Sequence, residues 1–379
     1  MSSRPKSGIP HQVRTAAEPR QNRLYTVRLS HIDQISPTVR LLQLTIPPHV
    51  QSLESEEEAQ QQDGEEDRRP QPLTFLAGQW LDVHIPSISN AGGFSITSTP
   101  ADACVLPVPE KRPGEEFDSF EEPGLPPLDV QGRPPYVELA VQEAPSNPAS
   151  AWLWRPKEEI LGAELGIRVG GSFVWPPEGI DLNQTRNVVL IAGGVGIKYV
   201  LTPLKDKKDR QTNNPYSPLI SILSHLNNNE STTLLPHPTN IQVLYSTRLP
   251  KPSSHSSSSS STTEVENPLD QILFLPRLRQ ITQSQCQSHR LRIGLDLFLT
   301  DLPDDSPLRT APPVDLSVHP RRISREDLEV AVKGADGSVR PEETVCYMCG
   351  PPWMTDEFVG VLRGLLGDGQ KRVFFEKWW

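Results

Sequence analysis

The chain has 379 residues, which at roughly 150 residues per domain leaves room for two domains and some extra loop. Proline accounts for 40 of them and hydrophobic residues for only 35%, so part of the chain lies outside any packed core. The formal net charge of −10 argues against the chain-wide basic footprint of a nucleic-acid binder, and no run approaches the ~18 apolar residues of a membrane span.

Residues 1–23 carry Arg4, Lys6, Arg14, Arg20 and Arg23 against a single acid, Glu18, with no apolar stretch of a secretory signal behind them. They read as a disordered cytosolic tail or as a mitochondrial presequence, although Pro5 and Pro10 interrupt any amphipathic helix. Four cysteines in the whole chain suit a reducing compartment, which both readings satisfy. Over residues 24–180 the apolar pattern is short and period-two, predicting strands at 25–31, 39–46, 79–85, 92–98, 136–142 and 166–173. Short strands without intervening helices predict an antiparallel barrel or sandwich.

Two acidic segments interrupt these strands. Residues 51–70 hold eight acids against two arginines, and residues 105–130 hold seven against Lys111 and Arg112, with six prolines. Their charges of −6 and −5 account for the acidity of the whole chain. They read as solvated loops, where length costs little stability, or as docking sites for a basic partner.

After residue 187 the rhythm becomes strand then helix: strand 187–192, helices near 197–205 and 218–226, strand 241–245, a helix over 268–281, strand 291–300, helix 325–332, strand 344–348, helix 352–366 and a last strand at 372–376. A serine-rich loop, 251–263, falls inside this series. The first strand is a nearly continuous apolar run, as a strand covered on both faces requires. Residues 181–379 are therefore expected to form a doubly wound parallel-sheet domain.

Four places carry candidate chemistry. The first predicted parallel strand ends in Gly193-Gly194-Val195-Gly196 and opens a helix, a turn that lets backbone approach a phosphate closely; it is also compatible with a plain tight turn. Cys346 and Cys349 have C-x-x-C spacing, but no second pair or nearby histidine completes four zinc ligands, so no metal is assigned. Cys346 is expected in the core, and Cys349 at the carboxyl end of its strand, before Gly350 and Pro351. In the barrel, Gly92-Gly93-Phe94-Ser95 sets a hydroxyl beside an aromatic, and Asn147-Pro148-Ala149-Ser150 reads as a helix cap with Ser150 in the first turn. The sequence ends on Trp378-Trp379, which need a surface to cover.

In this order, the barrel, the glycine turn, Cys349-Gly350-Pro351-Pro352-Trp353-Met354 and the terminal aromatics resemble the ferredoxin-NADP reductase superfamily, over residues 24–379 outside the inserts. The resemblance implies an N-terminal flavin-binding β-barrel followed by an α/β nucleotide-binding domain, with FAD and NAD or NADP as cofactors. By that likeness Phe94 stacks on the flavin ring, Ser95 contacts it near N5, and Ser150 sits in the helix facing the pyrophosphate. Gly92 stands where the family has a phosphate-binding arginine, and Asn147 where it has glycine. Gly193, Gly194 and Gly196 would hold the nicotinamide dinucleotide, with Lys198 in the position of a threonine. Ser246 and Arg248 lie where NADP-preferring relatives bind the 2′-phosphate. Cys349, Gly350 and Pro351 would flank nicotinamide C4, with Trp378 or Trp379 over the flavin.

The resemblance implies hydride transfer from NAD(P)H to FAD with Ser95, Cys349 and Trp379 in catalytic roles, then passage to an unidentified acceptor that is another molecule, such as a protein. The missing arginine motivates the alternative, a catalytically weak reductase-like module for nucleotide binding or assembly.

Overall fold

The computed structural model describes residues 10–47, 52–53, 72–104, 134–193, 217–228, 235, 238–249, 267–288, 290–334 and 337–377. Apart from residues 52–53, the two acidic segments lie outside this set, as do the serine-rich loop and the helix expected near 197–205. The chain parts between Pro176 and Pro177 into two compact units.

The first unit runs through α1 (His11–Arg14), β1 (Leu24–Ser36), β2 (Val39–Thr45), β3 (Ser52–Leu53), β4 (Trp80–His84), β5 (Gly92–Ser95), β6 (Tyr136–Gln142), α2 (Pro148–Leu153), α3 (Lys157–Ile160) and β7 (Glu164–Gly170). Six strands follow the antiparallel order β5-β4-β7-β1-β2-β6, and β3 pairs with β1. An Ile96–Leu139 bridge joins the two ends of this path, making it barrel-like. Alternation sends Tyr25, Val27 and Leu29 of β1, Leu81 and Val83 of β4, and Ile167 and Val169 of β7 into one cluster. Each such aliphatic side chain contributes about 1.5–3 kcal/mol on burial.

Several boundaries differ from expectation, β7 among them, which spans Glu164–Gly170 where 166–173 was expected. β5 stops at Ser95, short of residue 98, because the chain there leaves β4 for β6: Thr97 N donates to Glu138 O at 2.8 Å and Glu138 N donates to Ser98 Oγ at 3.0 Å. β1 extends to Ser36 because two bulges let it keep pairing with β2.

The expectation of a disordered tail fails from Pro10 onward. Residues 10–23 lie as a strap along β7 and β4: Gln21 N donates to Val169 O and Gly171 N to Pro19 O, both at 2.9 Å. Under the strap Asp82 is fully buried. Its Oδ2 accepts from Arg20 Nε at 2.9 Å and from Arg168 at 3.0 and 3.3 Å, and its Oδ1 lies 3.5 Å from His11 Nε2. Arg20 stacks 4.8 Å over Trp80, and His11 meets the same indole edge-on at 4.6 Å. Only glycine fits beneath these rings: a Cβ on Gly93 would sit 2.1 Å from the His11 ring, and one on Gly170 2.5 Å from Trp80. Arg20, one of the residues that suggested a presequence, is thus held by the fold.

Burial pushes His11 down to about 4 from its ordinary 6.5, with Asp82 pulling the other way. Between those values the unfolded chain binds a proton that the folded one refuses, so this contribution to stability is whole above pH 6.5 and is lost as pH falls toward 4. The full loss is about 3 kcal/mol. Melting temperatures recorded at pH 7 and pH 5 should therefore diverge in the native chain and converge in His11→Phe, which keeps a ring against Trp80 but cannot titrate; equal slopes in both would reject the assignment.

The second unit contains β8 (Asn187–Gly193), α4 (Ser217–Asn227), β9 (Thr239–Thr247), α5 (Leu275–Ser288), β10 (Leu291–Leu299), α6 (Pro307–Thr310), β11 (Ser317–His319), α7 (Arg325–Lys333), β12 (Thr344–Gly350), α8 (Pro352–Leu366) and β13 (Val373–Lys377). All six strands are parallel, in the order β11-β10-β9-β8-β12-β13. β8 and β12 are buried at every residue, as strands covered on both faces must be. Asn187 anchors the start of β8, its Nδ2 donating to Ala331 O and Val332 O at the end of α7. The helix expected over 268–281 begins only at Leu275. Asn267 accepts from Leu269 N through its side chain and from Asp270 N through its carbonyl, and successive turns run to Phe274 at φ 60°. These local bonds compete with the helical ones.

Candidate functional site

In the second unit the strand order reverses between β8 and β12, since β9, β10 and β11 build outward on one side and β13 on the other. Open parallel sheets bind ligands at the carboxyl ends of the strands flanking such a reversal. Here those ends are Gly193 and Gly350, set side by side by the Cys349–Ala192 register. A Cβ on Gly193 would lie 2.5 Å from Met354 Sδ and 3.0 Å from Pro351 Cδ, and one on Gly350 would lie 3.2 Å from Met348 Cε and 3.5 Å from Gly193 N. The two glycines thus allow two strand ends and the start of α8 to converge. Thr355 fixes this corner by donating from Oγ1 to Gly350 O at 3.1 Å.

Ser246 continues the same edge, paired in register with Gly193, and Arg248 follows directly after β9. Cys346 and Cys349 form no disulfide, and both are fully buried. Cys346 packs among Leu328, Met354 and Phe358, and burial pushes its thiol up to about 12. Cys349 occupies the penultimate position of β12 with no exposed surface in this unit. Trp353, in the first turn of α8, is 58% exposed and lies 5.8 Å from the Arg322 guanidinium. It stands in the Cys349-Gly350-Pro351-Pro352-Trp353-Met354 motif, which gave it no separate role.

In the first unit β5 and α2 bring together the residues assigned to flavin. Phe94 shares a sheet face with Leu81, its register partner, and is buried in the barrel cluster at 6% exposure. A Cβ on Gly92 would lie 2.6 Å from Phe94 Cε2 and 2.6 Å from Ala149 Cβ. Asn147 caps α2, its Oδ1 accepting from Ala149 N at 3.1 Å and Ser150 N at 3.3 Å, while Ala151 N donates to Asn147 O. Ser150 Oγ donates to Gln142 O at 2.7 Å and accepts from Ala144 N at 3.0 Å. Ser95 differs: its Oγ is buried without a hydrogen-bond partner.

No family model matches the chain. In sequence it is 27% identical over 371 residues to the zebrafish (Danio rerio) protein named oxidoreductase NAD-binding domain-containing protein 1, covering 97% of both chains. In structure it matches the CS-b5R domains of human Ncb5or in the NAD+ form, with a TM-score of 0.54 and 14% identity over 94% of this chain and 70% of that one. It also matches a ferredoxin NADP+ reductase from Neisseria gonorrhoeae with bound FAD and NADP, with a TM-score of 0.52 and 12% identity over 93% and 98% of the two chains. The fold is that of the ferredoxin-NADP reductases.

Set against that reductase fold, Gly193, Ser246, Arg248, Cys349, Gly350 and Pro351 gather at the carboxyl edge of the parallel sheet. Phe94, Ser95 and Ser150 gather around β5 and α2. Gly194, Gly196, Lys198, Trp378 and Trp379 lie outside the described residues.

FAD does not fit the second group as it stands. A flavin diphosphate needs donors, and the first four residues of α2 offer none: Pro148 has no N–H, Ala149 and Ser150 are bonded to Asn147 Oδ1, and Ala151 to Asn147 O. The Ser150 hydroxyl is spent on backbone, and the position of the phosphate-binding arginine has no space for a side chain. Asn147 thus takes up the N–H groups of Ala149 and Ser150, while Phe94 and Ala149 fill the space beside Gly92.

Proposed function

We propose that this chain is an NAD(P)H-binding oxidoreductase of the ferredoxin-NADP reductase type, with the dinucleotide lying across the carboxyl edge of the second unit. The convergence of Gly193 and Gly350 at the point of strand-order reversal carries this reading. The two strand ends and the start of α8 can converge there because neither residue bears a side chain. Ser246 and Arg248, at the end of the neighbouring strand, would meet the adenosine ribose and any 2′-phosphate. The name of the zebrafish relative and the NAD+ and NADP of the matched structures support the same assignment.

The finer reading adds FAD in the barrel as hydride acceptor and a separate molecule beyond it. The unpartnered, buried Ser95 hydroxyl favours that reading; the closed diphosphate cradle opposes it.

Titrating the purified full-length chain with NADH and, separately, NADPH while following nicotinamide fluorescence is expected to give saturable binding of at least one. Failure to bind either would reject the proposal.

A further inference from the structure

We propose that the barrel of this chain holds no resident FAD, because its own groups fill the place where the diphosphate would bind. Three independent features combine.

The first is steric. Ala149 Cβ and the Phe94 ring stand where a Cβ on Gly92 would go, and both are fixed, one on a helix and the other in the barrel core with 6% exposure. An arginine cannot be restored at residue 92 without moving α2 off β5.

The second is the exhaustion of donors. A diphosphate binds at a helix start through free N–H groups, and Asn147 satisfies those of Ala149 and Ser150. Releasing them would leave the amide of Asn147 to be accommodated elsewhere. The Ser150 hydroxyl both donates and accepts within the chain, tying α2 to the end of β6 and the turn after it.

The third is that the opposite end of α2 is also locked. Arg40, 8% exposed, donates to Leu153 O at 3.2 Å and Arg155 O at 2.7 Å and lies 4.6 Å over the Trp154 ring, whose Nε1 donates to Val141 O. A helix pinned at both ends has little freedom to withdraw and admit a ligand. The Ser95 hydroxyl is the one assigned flavin contact left unbonded among the described residues, and a single neutral hydrogen bond does not hold a dinucleotide.

The test uses the full-length chain and reads binding, not turnover. Protein purified without added flavin is examined for flavin absorbance and for flavin released on heating; it is then titrated with FAD, following flavin fluorescence, and with NADH in a parallel cell. The expected result is a colourless protein that leaves FAD fluorescence unchanged through the micromolar range. One flavin per chain, or saturable FAD binding at micromolar concentration or below, would overturn the proposal. The NADH cell reads the proposed function separately, so either result stands whatever the other shows. Gly92→Ala supplies a second readout: a closed cradle predicts a lower melting temperature that added FAD does not raise. A variant as stable as the native chain, or a melting temperature raised by FAD in either protein, would equally count against closure.

Discussion

Replacing Asp82 with alanine is expected to lower the stability of the first unit by about 3–5 kcal/mol, the usual cost of breaking a buried charge network from one side. Asp82 is fully buried, yet it receives Arg20 at 2.9 Å and Arg168 at 3.0 Å and has His11 beside it. Its removal strands two guanidiniums under the strap. Arg20 and Arg168 are 15% and 29% exposed, so partial rehydration should place the loss toward the lower end of that range. The strap has few other anchors, chiefly the backbone bonds of Gln21 and Gly171 and the Glu18 carboxylate on Ser172. Denaturant unfolding followed by tryptophan fluorescence measures the loss, and limited proteolysis should show the N-terminal segment becoming accessible first. Asp82→Asn, which can still accept hydrogen bonds, should lie between. A change below about 1 kcal/mol would mean the network contributes only what surface pairs do.

Gly193→Ala is expected to weaken nicotinamide dinucleotide binding at least tenfold, about 1.4 kcal/mol. The added methyl would approach Met354 Sδ to 2.5 Å and Pro351 Cδ to 3.0 Å. Methionine yields readily and proline does not, so the strain should part Gly350-Pro351 from the end of β8, the corner on which the proposed site depends. The paired variant Gly193→Ala/Met354→Ala removes the nearest clash and should recover part of the affinity, an interaction that a double-mutant cycle reads directly. Undiminished binding in the single variant would place the dinucleotide elsewhere. The native sheet should survive, since Gly193 is the last residue of its strand.

The parallel sheet was legible where one physical requirement dominates. β8 and β12 are continuous apolar runs because helices cover both faces, and α8 spans Pro352–Leu366 as expected, between Pro351 and Gly367. β6 likewise matches from Tyr136 to Gln142. The strap was not legible: its central ion pair joins Arg20 to an aspartate 62 positions on, and no local pattern announces such a pairing. At the candidate flavin site the sequence revealed which residues had changed and not what fills the space. Asn147 reads in the sequence as a helix cap whose helix start still faces a pyrophosphate; folded, its Oδ1 takes two N–H groups that a diphosphate would use.

The place of β1 in the barrel bears on how the chain is made. Val27 has Leu165 of β7 as its register partner on one side, while on the other β1 continues straight into the hairpin with β2. On the ribosome that hairpin can form early, but its outer edge stays open until β7 emerges, with both acidic segments synthesised in between. Long-range closure of this kind is slow and leaves a strand edge available to the wrong partner. Those segments carry strong negative charge through just that interval, so nascent chains would repel one another while the barrel waits for its last strand.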